Sequence, residues 1–210
     1  MKLFFSYTAA LSALVVLLMG QHRVVHANDF DTTPNDEASR DLYEAALDND
    51  RDAIAAALQA GGDINVRENK SGQTALMAAA LRGKARAVKF LLQRGADPTI
   101  PEKDGYTPEH GAGFQGRGEI LRLLVDHGID VMNPTPPHRD GYLPFHRACW
   151  GKEERHTAVV RLFVETFGID PKVPGGKEGK TCFDMSPNSQ TKFYLREREV
   201  EERFAMMKEF

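Results

Sequence analysis

The sequence is poor in the features that mark several functional classes. It has only two cysteines in 210 residues, Cys149 and Cys182, so it is no disulfide scaffold and packing must hold the fold. It has no basic excess: 27 lysines and arginines face 30 aspartates and glutamates, for a formal net charge of -3. A nucleic-acid-binding chain needs a stripe of lysine and arginine to displace counterions from phosphates; none is present, and nucleic acid is not an expected partner. No glycine-rich phosphate loop, nucleophile motif or zinc-ligand cluster occurs, so no cofactor, metal or catalytic residue is expected. Beyond residue 27 no apolar run is long enough to span a bilayer.

What is present begins with a short positive start at Lys2 and an apolar run from Leu3 to Gly20, followed by Val25-His26-Ala27 with modest side chains. That order reads as a secretory signal peptide, residues 1–27, cut after Ala27. The expected localisation is the secretory pathway, secreted or luminal. A retained membrane anchor is the alternative, although Ser6, Tyr7, Thr8 and Ser12 weaken the front half of the run. Residues 28–40 then read as a flexible segment. With 41% hydrophobic and 27% charged residues the remainder suits one soluble globular domain, expected to be monomeric and free of the membrane. Asn69-Lys70-Ser71 is a glycosylation acceptor triplet, which makes Asn69 a candidate modification site in an exported chain.

The informative feature is a repeat. Ser71-Gly72-Gln73-Thr74-Ala75-Leu76-Met77-Ala78-Ala79-Ala80 is echoed by Asp104-Gly105-Tyr106-Thr107-Pro108-Glu109-His110-Gly111-Ala112-Gly113, and again by Asp140-Gly141-Tyr142-Leu143-Pro144-Phe145-His146-Arg147-Ala148-Cys149. Gly72 and Gly105 are 33 positions apart, and so are Gly95 and Gly128, the glycines that end two apolar helix patterns. Two separate motifs therefore keep one period.

These residues resemble the ankyrin-repeat family, whose period is about 33 residues and whose signature reads Thr-Pro-Leu-His-x-Ala. The resemblance implies an all-α solenoid of stacked helix pairs with short β-turn or hairpin loops, about five units over residues 41–195, the first and last acting as caps. Turn glycines suit positive φ, the threonine-proline of the signature, kept here as Thr107-Pro108, opens the first helix, and alanines keep that helix slim enough for units to stack. Residues 196–210 then form a charged helical extension. Its apolar residues Phe193, Val200, Phe204 and Met207 make one stripe, expected to cover the open end of the array, with self-association as the alternative.

Departures from the signature mark places to examine. Glu109 stands where the family has leucine, which implies a local distortion or an unusual partner. Leu143 replaces the capping threonine. About three residues are inserted between the two helices of the fourth unit, within Lys152 to His156, and Met132 to Arg139 forms an extended link with Pro134, Pro136 and Pro137. Cys149 falls at a small-residue position and Cys182 at the family's proline position. These are non-equivalent places in neighbouring units, which favours Cys149 as a small buried apolar side chain over a disulfide.

His110 and His146 fall on the signature histidine, where the resemblance implies a structural hydrogen bond near the helix start. The resemblance also places the residues around each turn glycine, and those ending each first helix, along a concave groove. Carried onto this chain, the groove positions include Arg82, Lys103, Asp104, Tyr106, Phe114, Gln115, Arg139, Tyr142 and Trp150. Tyr106 and Tyr142 are at matched positions, as are Phe114 and Trp150, so stacking should gather four aromatics into one patch of the kind that anchors protein interfaces. The expected function is therefore binding of a protein partner. The competing enzyme reading rests on Glu109, His138 and His156, and a membrane-anchored scaffold follows if the N-terminal segment is retained.

Overall fold

The computed structural model describes residues 36–134 and 136–208. The expected signal peptide and most of the segment to residue 40 lie outside the described residues. Five helix pairs follow one another: α1 (Asp36–Asp48) and α2 (Arg51–Gln59), α3 (Ala75–Arg82) and α4 (Ala85–Gln93), α5 (Pro108–Phe114) and α6 (Gly118–Asp126), α7 (Pro144–Cys149) and α8 (Glu154–Arg161), then α9 (Cys182–Met185) and α10 (Ser189–Lys208). The only β pairing among the described residues is two isolated bridges in the turns, Arg67 with Thr74 and Gly175 with Lys180. The expected all-α solenoid of helix pairs with hairpin-like turns is the observed fold. Its first helix begins at Asp36, and its last runs unbroken through residue 196.

Helix composition explains the stacking. α3 buries six consecutive residues, Ala75 to Ala80, because alanine lets helices approach on either flank. α4 and α6 are amphipathic and bury Val88, Leu91, Ile120, Leu121 and Leu124. The first helices of units three and four approach tightly at Gly113, where an added Cβ would lie 2.3 Å from the Pro144 carbonyl oxygen. The last residues of one first helix thus press on the first residue of the next.

That offset overturns the expectation for the cysteines. Cys149 occupies the place of Gly113 one unit on, and Cys182 that of Pro144. The two form a disulfide with Cα atoms 5.3 Å apart, tying α7 to α9. Positions that are non-equivalent within a unit are neighbours between units, which is why a reading by unit position missed the bond.

Helix starts are solved differently in each unit. Thr74 accepts the Met77 N–H at 3.2 Å as a side-chain cap. Thr107 does not cap; its hydroxyl sits 2.7 Å from His110 Nδ1. At Leu143, which has no hydroxyl, His146 Nδ1 accepts the Leu143 N–H at 3.1 Å, so the helix start is still held. Thr181 and Asp184 form a reciprocal capping box.

The insertion in unit four lies elsewhere than expected. Ten residues separate the starts of the two helices in units two, three and four alike, Ala75 to Ala85, Pro108 to Gly118 and Pro144 to Glu154. The extra residues sit in the second helix, which continues from α8 through a π-helical turn, Leu162–Thr166. Widening the helix there accommodates the added residues while Val159, Val160 and Phe163 stay buried.

The apolar stripe of α10 also departs from expectation. Phe193, Val200, Phe204 and Met207 are 62%, 50%, 60% and 73% exposed, and the helix is fastened by buried Thr191, Tyr194 and Leu195 instead. Thr191 meets Thr157 of α8 hydroxyl to hydroxyl at 2.8 Å. The face that packs is therefore offset from the stripe, which does not cover the array's end.

Candidate binding site on the turn and first-helix face

The turns stack as the helices do. Lys103 N–H donates to the Ser71 carbonyl at 2.9 Å, His138 Nε2 meets the Asp104 carbonyl at 2.9 Å, and Gly176 N–H donates to the Gly141 carbonyl at 3.1 Å. This chain of contacts holds the turn tips of units two to five beside the first helices. Gly105 and Gly141, with φ of 95° and 77°, make the tips possible without strain.

At the junction of units three and four a cation organises the aromatics. Arg147, on α7 and 4% exposed, has its guanidinium carbon 4.7 Å from the Tyr106 ring centre, 4.6 Å from that of Trp150 and 5.4 Å from that of Tyr142. Desolvated cation–π contacts of this kind stabilise by about 1–2 kcal/mol. Tyr142 and Trp150 meet edge to face at 5.1 Å, and Tyr106 stacks on His138 at 4.1 Å with planes 9° apart. Arg147 also bonds the Asp140 carboxylate. Burial alone would raise the Asp140 carboxyl, but hydrogen bonds from His138, the Tyr142 N–H and Arg147, with the guanidinium charge, outweigh it and hold it at about 2.

Three of the four expected aromatics therefore come together, around a residue the sequence reading did not weigh. Arg147 is the variable position of the signature motif; its one visible signal was a cation placed between aromatics at matched positions in consecutive units. The fourth aromatic, Phe114, is 50% exposed and completes a pocket of about 290 Å³ with Tyr106 and Trp150. Met77, Leu81 and Gly111 also line the pocket, and Gln73, Glu102 and Asp104 contribute from the turns. Of the remaining expected groove residues, none lines the pocket: Arg82 is exposed with Nη1 on the Ala78 carbonyl, Lys103 reaches the Asn69 carbonyl, Gln115 ends α5, and Arg139 is exposed in its turn. Asn69 itself is exposed at the tip of unit two.

Each residue of the enzyme reading has a structural position. His138 is buried against Asp104, Asp140 and Tyr106. His156 joins Nε2 to the Phe114 carbonyl at 3.1 Å, bracing the end of α5 against α8. Glu109 is 2% exposed; burial raises its carboxyl above the ordinary range, against weaker hydrogen bonds from Thr107 and its own N–H. Helix α5 is nonetheless regular, so the expected distortion does not occur. Burial, with the charges of Arg147 and His138, likewise lowers His110 to about 4, although the Tyr142 backbone pulls the other way. His110 Nε2 is buried without a hydrogen-bond partner. His146 Nε2 meets the Val173 carbonyl at 3.1 Å, as a structural histidine should. No group of three or more histidine, cysteine, aspartate or glutamate side chains among the described residues is arranged to hold a metal ion.

With this geometry in place, similarity to known proteins names the repeat. Residues 42–135 match the family model "Ankyrin repeats (3 copies)". These residues are ankyrin repeats. The chain is 43% identical over 74 residues to mouse protein phosphatase 1 regulatory subunit 12A, covering 35% of this chain and 7% of that protein. It is 35% identical over 98 residues to delta-latroinsectotoxin-Lt1a of Latrodectus tredecimguttatus, covering 44% and 8%. It is 34% identical over 67 residues to human 2-5A-dependent ribonuclease, covering 32% and 9%. The chain spans under a tenth of these relatives, so what is shared is the ankyrin segment and not their separate activities.

Proposed function

We propose that this chain is an exported binding protein that holds a partner protein through the turn and first-helix face of units two to four. Ankyrin repeats are in general interaction modules, and the observation that carries the reading here is the aromatic pocket of Tyr106, Phe114 and Trp150, the first and last of them held by Arg147. Rigid aromatics with adjoining charged groups are what interface hot spots are made of. Binding rather than catalysis is also favoured by His138, His146 and His156 each being tied to a backbone carbonyl of the framework. Export is supported by the Cys149–Cys182 disulfide, a bond that persists in oxidising compartments and is rare in reducing ones.

The test is to express the full chain in a secretory host, recover it from the medium and identify what co-purifies. Phe114→Ala should weaken the partner's affinity roughly 30-fold, about 2 kcal/mol, because this side chain is half exposed at the pocket edge. A partner held equally by wild type, Phe114→Ala and Trp150→Ala would sink the groove reading. The export reading requires a mature N-terminus near residue 28; an intact Met1 on protein held in the membrane fraction, with none in the medium, would instead make it anchored. Glycosylation at Asn69 would confine partner contact to units three and four, and a footprint over Lys70 to Arg82 on fully modified protein would contradict that.

A further inference from the structure

We infer that the pocket takes a partner's apolar side chain flanked by lysine or arginine, an inference that rests on the binding function proposed above. Its floor exists because residue 111 is glycine: a Cβ there would come within 2.8 Å of Leu81 Cδ2 and 3.1 Å of Met77 Cε. Its walls are the rings of Tyr106, Phe114 and Trp150. Such a predominantly apolar lining selects an aliphatic, thioether or aromatic side chain, which loses water on entry and brings no polar group of its own that needs a partner.

The rim decides the charge of what flanks that side chain. Two carboxylates border the pocket, Glu102 and Asp104. Glu102 Oε1 already accepts the Asp104 N–H at 3.0 Å, which fixes the carboxylate in place, whereas Asp104 is exposed at the tip. The cation in the lining, Arg147, is only 4% exposed and is engaged by Asp140 and three aromatic faces, so it presents little free charge to an occupant. Neighbouring Lys103 directs its ammonium to the Asn69 carbonyl in the adjacent turn. An incoming segment therefore meets an apolar hole beside negative charge, which complements cation–apolar–cation and repels its acidic counterpart.

Trp150 is the sole tryptophan, so its fluorescence reports occupancy directly. The full chain is titrated with two acetylated, amidated peptide pools, Gly-Lys-X-Lys-Gly and Gly-Glu-X-Glu-Gly, X being an equal mixture of Leu, Met and Phe. The lysine pool should give a saturable change and the glutamate pool at least tenfold weaker binding. Asp104→Asn should weaken the lysine pool about threefold and leave the glutamate pool no weaker, and added salt should erase most of that difference. Gly111→Ala should cut binding at least tenfold while the helix keeps its stability, since alanine favours helix and displaces only the flexible Leu81 and Met77 tips into the pocket. Equal binding of the pools, preference for the glutamate pool, or no saturable change with either overturns the inference. If a co-purified partner is lost on Phe114→Ala while the pools fail to differ, only the charge preference has failed. If the partner ignores Phe114→Ala and Trp150→Ala, the underlying binding reading has failed.

Discussion

Units two and four are built from one motif and solve its demands by different means. In unit two a threonine caps the first helix and six small or apolar residues are buried in a row, with hydrogen bonds from the Ala87 N–H to Asn49 and from Arg117 to the Leu81 carbonyl reaching the units on either side. In unit four the cap oxygen is gone, a buried arginine stands among aromatics, the second helix carries extra residues through a π-turn, and a disulfide joins the first helix to the next unit. Apolar packing of small residues dominates in the middle of the array, where both helices of each unit are of ordinary length. Near the array's end, where the last first helix is only four residues long, specific polar and covalent contacts replace lost burial.

The disulfide should show the difference most strongly. Its 33-residue separation predicts a stability loss of roughly 3–4 kcal/mol on Cys149→Ala with Cys182→Ala, from freeing a loop of that length in the unfolded chain. Hydrogen exchange should find the loss concentrated in units four and five; uniform loss across units two and three would show that the array behaves as one cooperative block. Arg147→Met comes next, at about 2–3 kcal/mol, through lost cation–π contacts and a carboxylate at Asp140 left with fewer partners but still part-solvated. Denaturant unfolding measures it, and Trp150 fluorescence should shift as the rings lose their centre.

Acid should act through His110, whose folded value of about 4 lies below the ordinary 6.5. Because the unfolded chain binds its proton first, this contribution is complete above pH 6.5 and is lost as pH falls toward 4, about 2 kcal/mol between pH 7.5 and 5. Buried Glu109 acts in the opposite sense: its raised carboxyl makes ionisation costly in the folded state, so its penalty grows as pH rises above the ordinary carboxylate range. Glu109→Leu should therefore stabilise by about 1–2 kcal/mol at pH 8, with the gain fading at acid pH. Thermal unfolding of Glu109→Leu across pH isolates the histidine effect. A gain that did not depend on pH would mean that burial does not raise the Glu109 carboxyl.

The legible part of the site was the set of groove positions, since the repeat carries them along at one period. Tyr106, Tyr142 and Trp150 were identified as neighbours because matched positions in consecutive units must stack. What escaped were interactions between unmatched positions. Arg147 meets rings from the turn of its own unit, from the end of its own helix and from the preceding unit's turn. His138 leaves a proline-rich link to stack on Tyr106, and no spacing rule anticipates a link folding back onto a turn.

The sequence by itself determined the period, the helix pairs, the left-handed glycines at turns and helix ends, and which face carries aromatics. These are local properties, written in each unit's 33 residues and repeated. Only the tertiary structure decided that Cys149 reaches Cys182, that the insertion of unit four lengthens a helix, that the α10 stripe faces outward, and that Arg147 gathers the rings. The reason is that neighbouring units are offset as they stack, so the contacts across a junction join positions that the repeat alignment keeps apart.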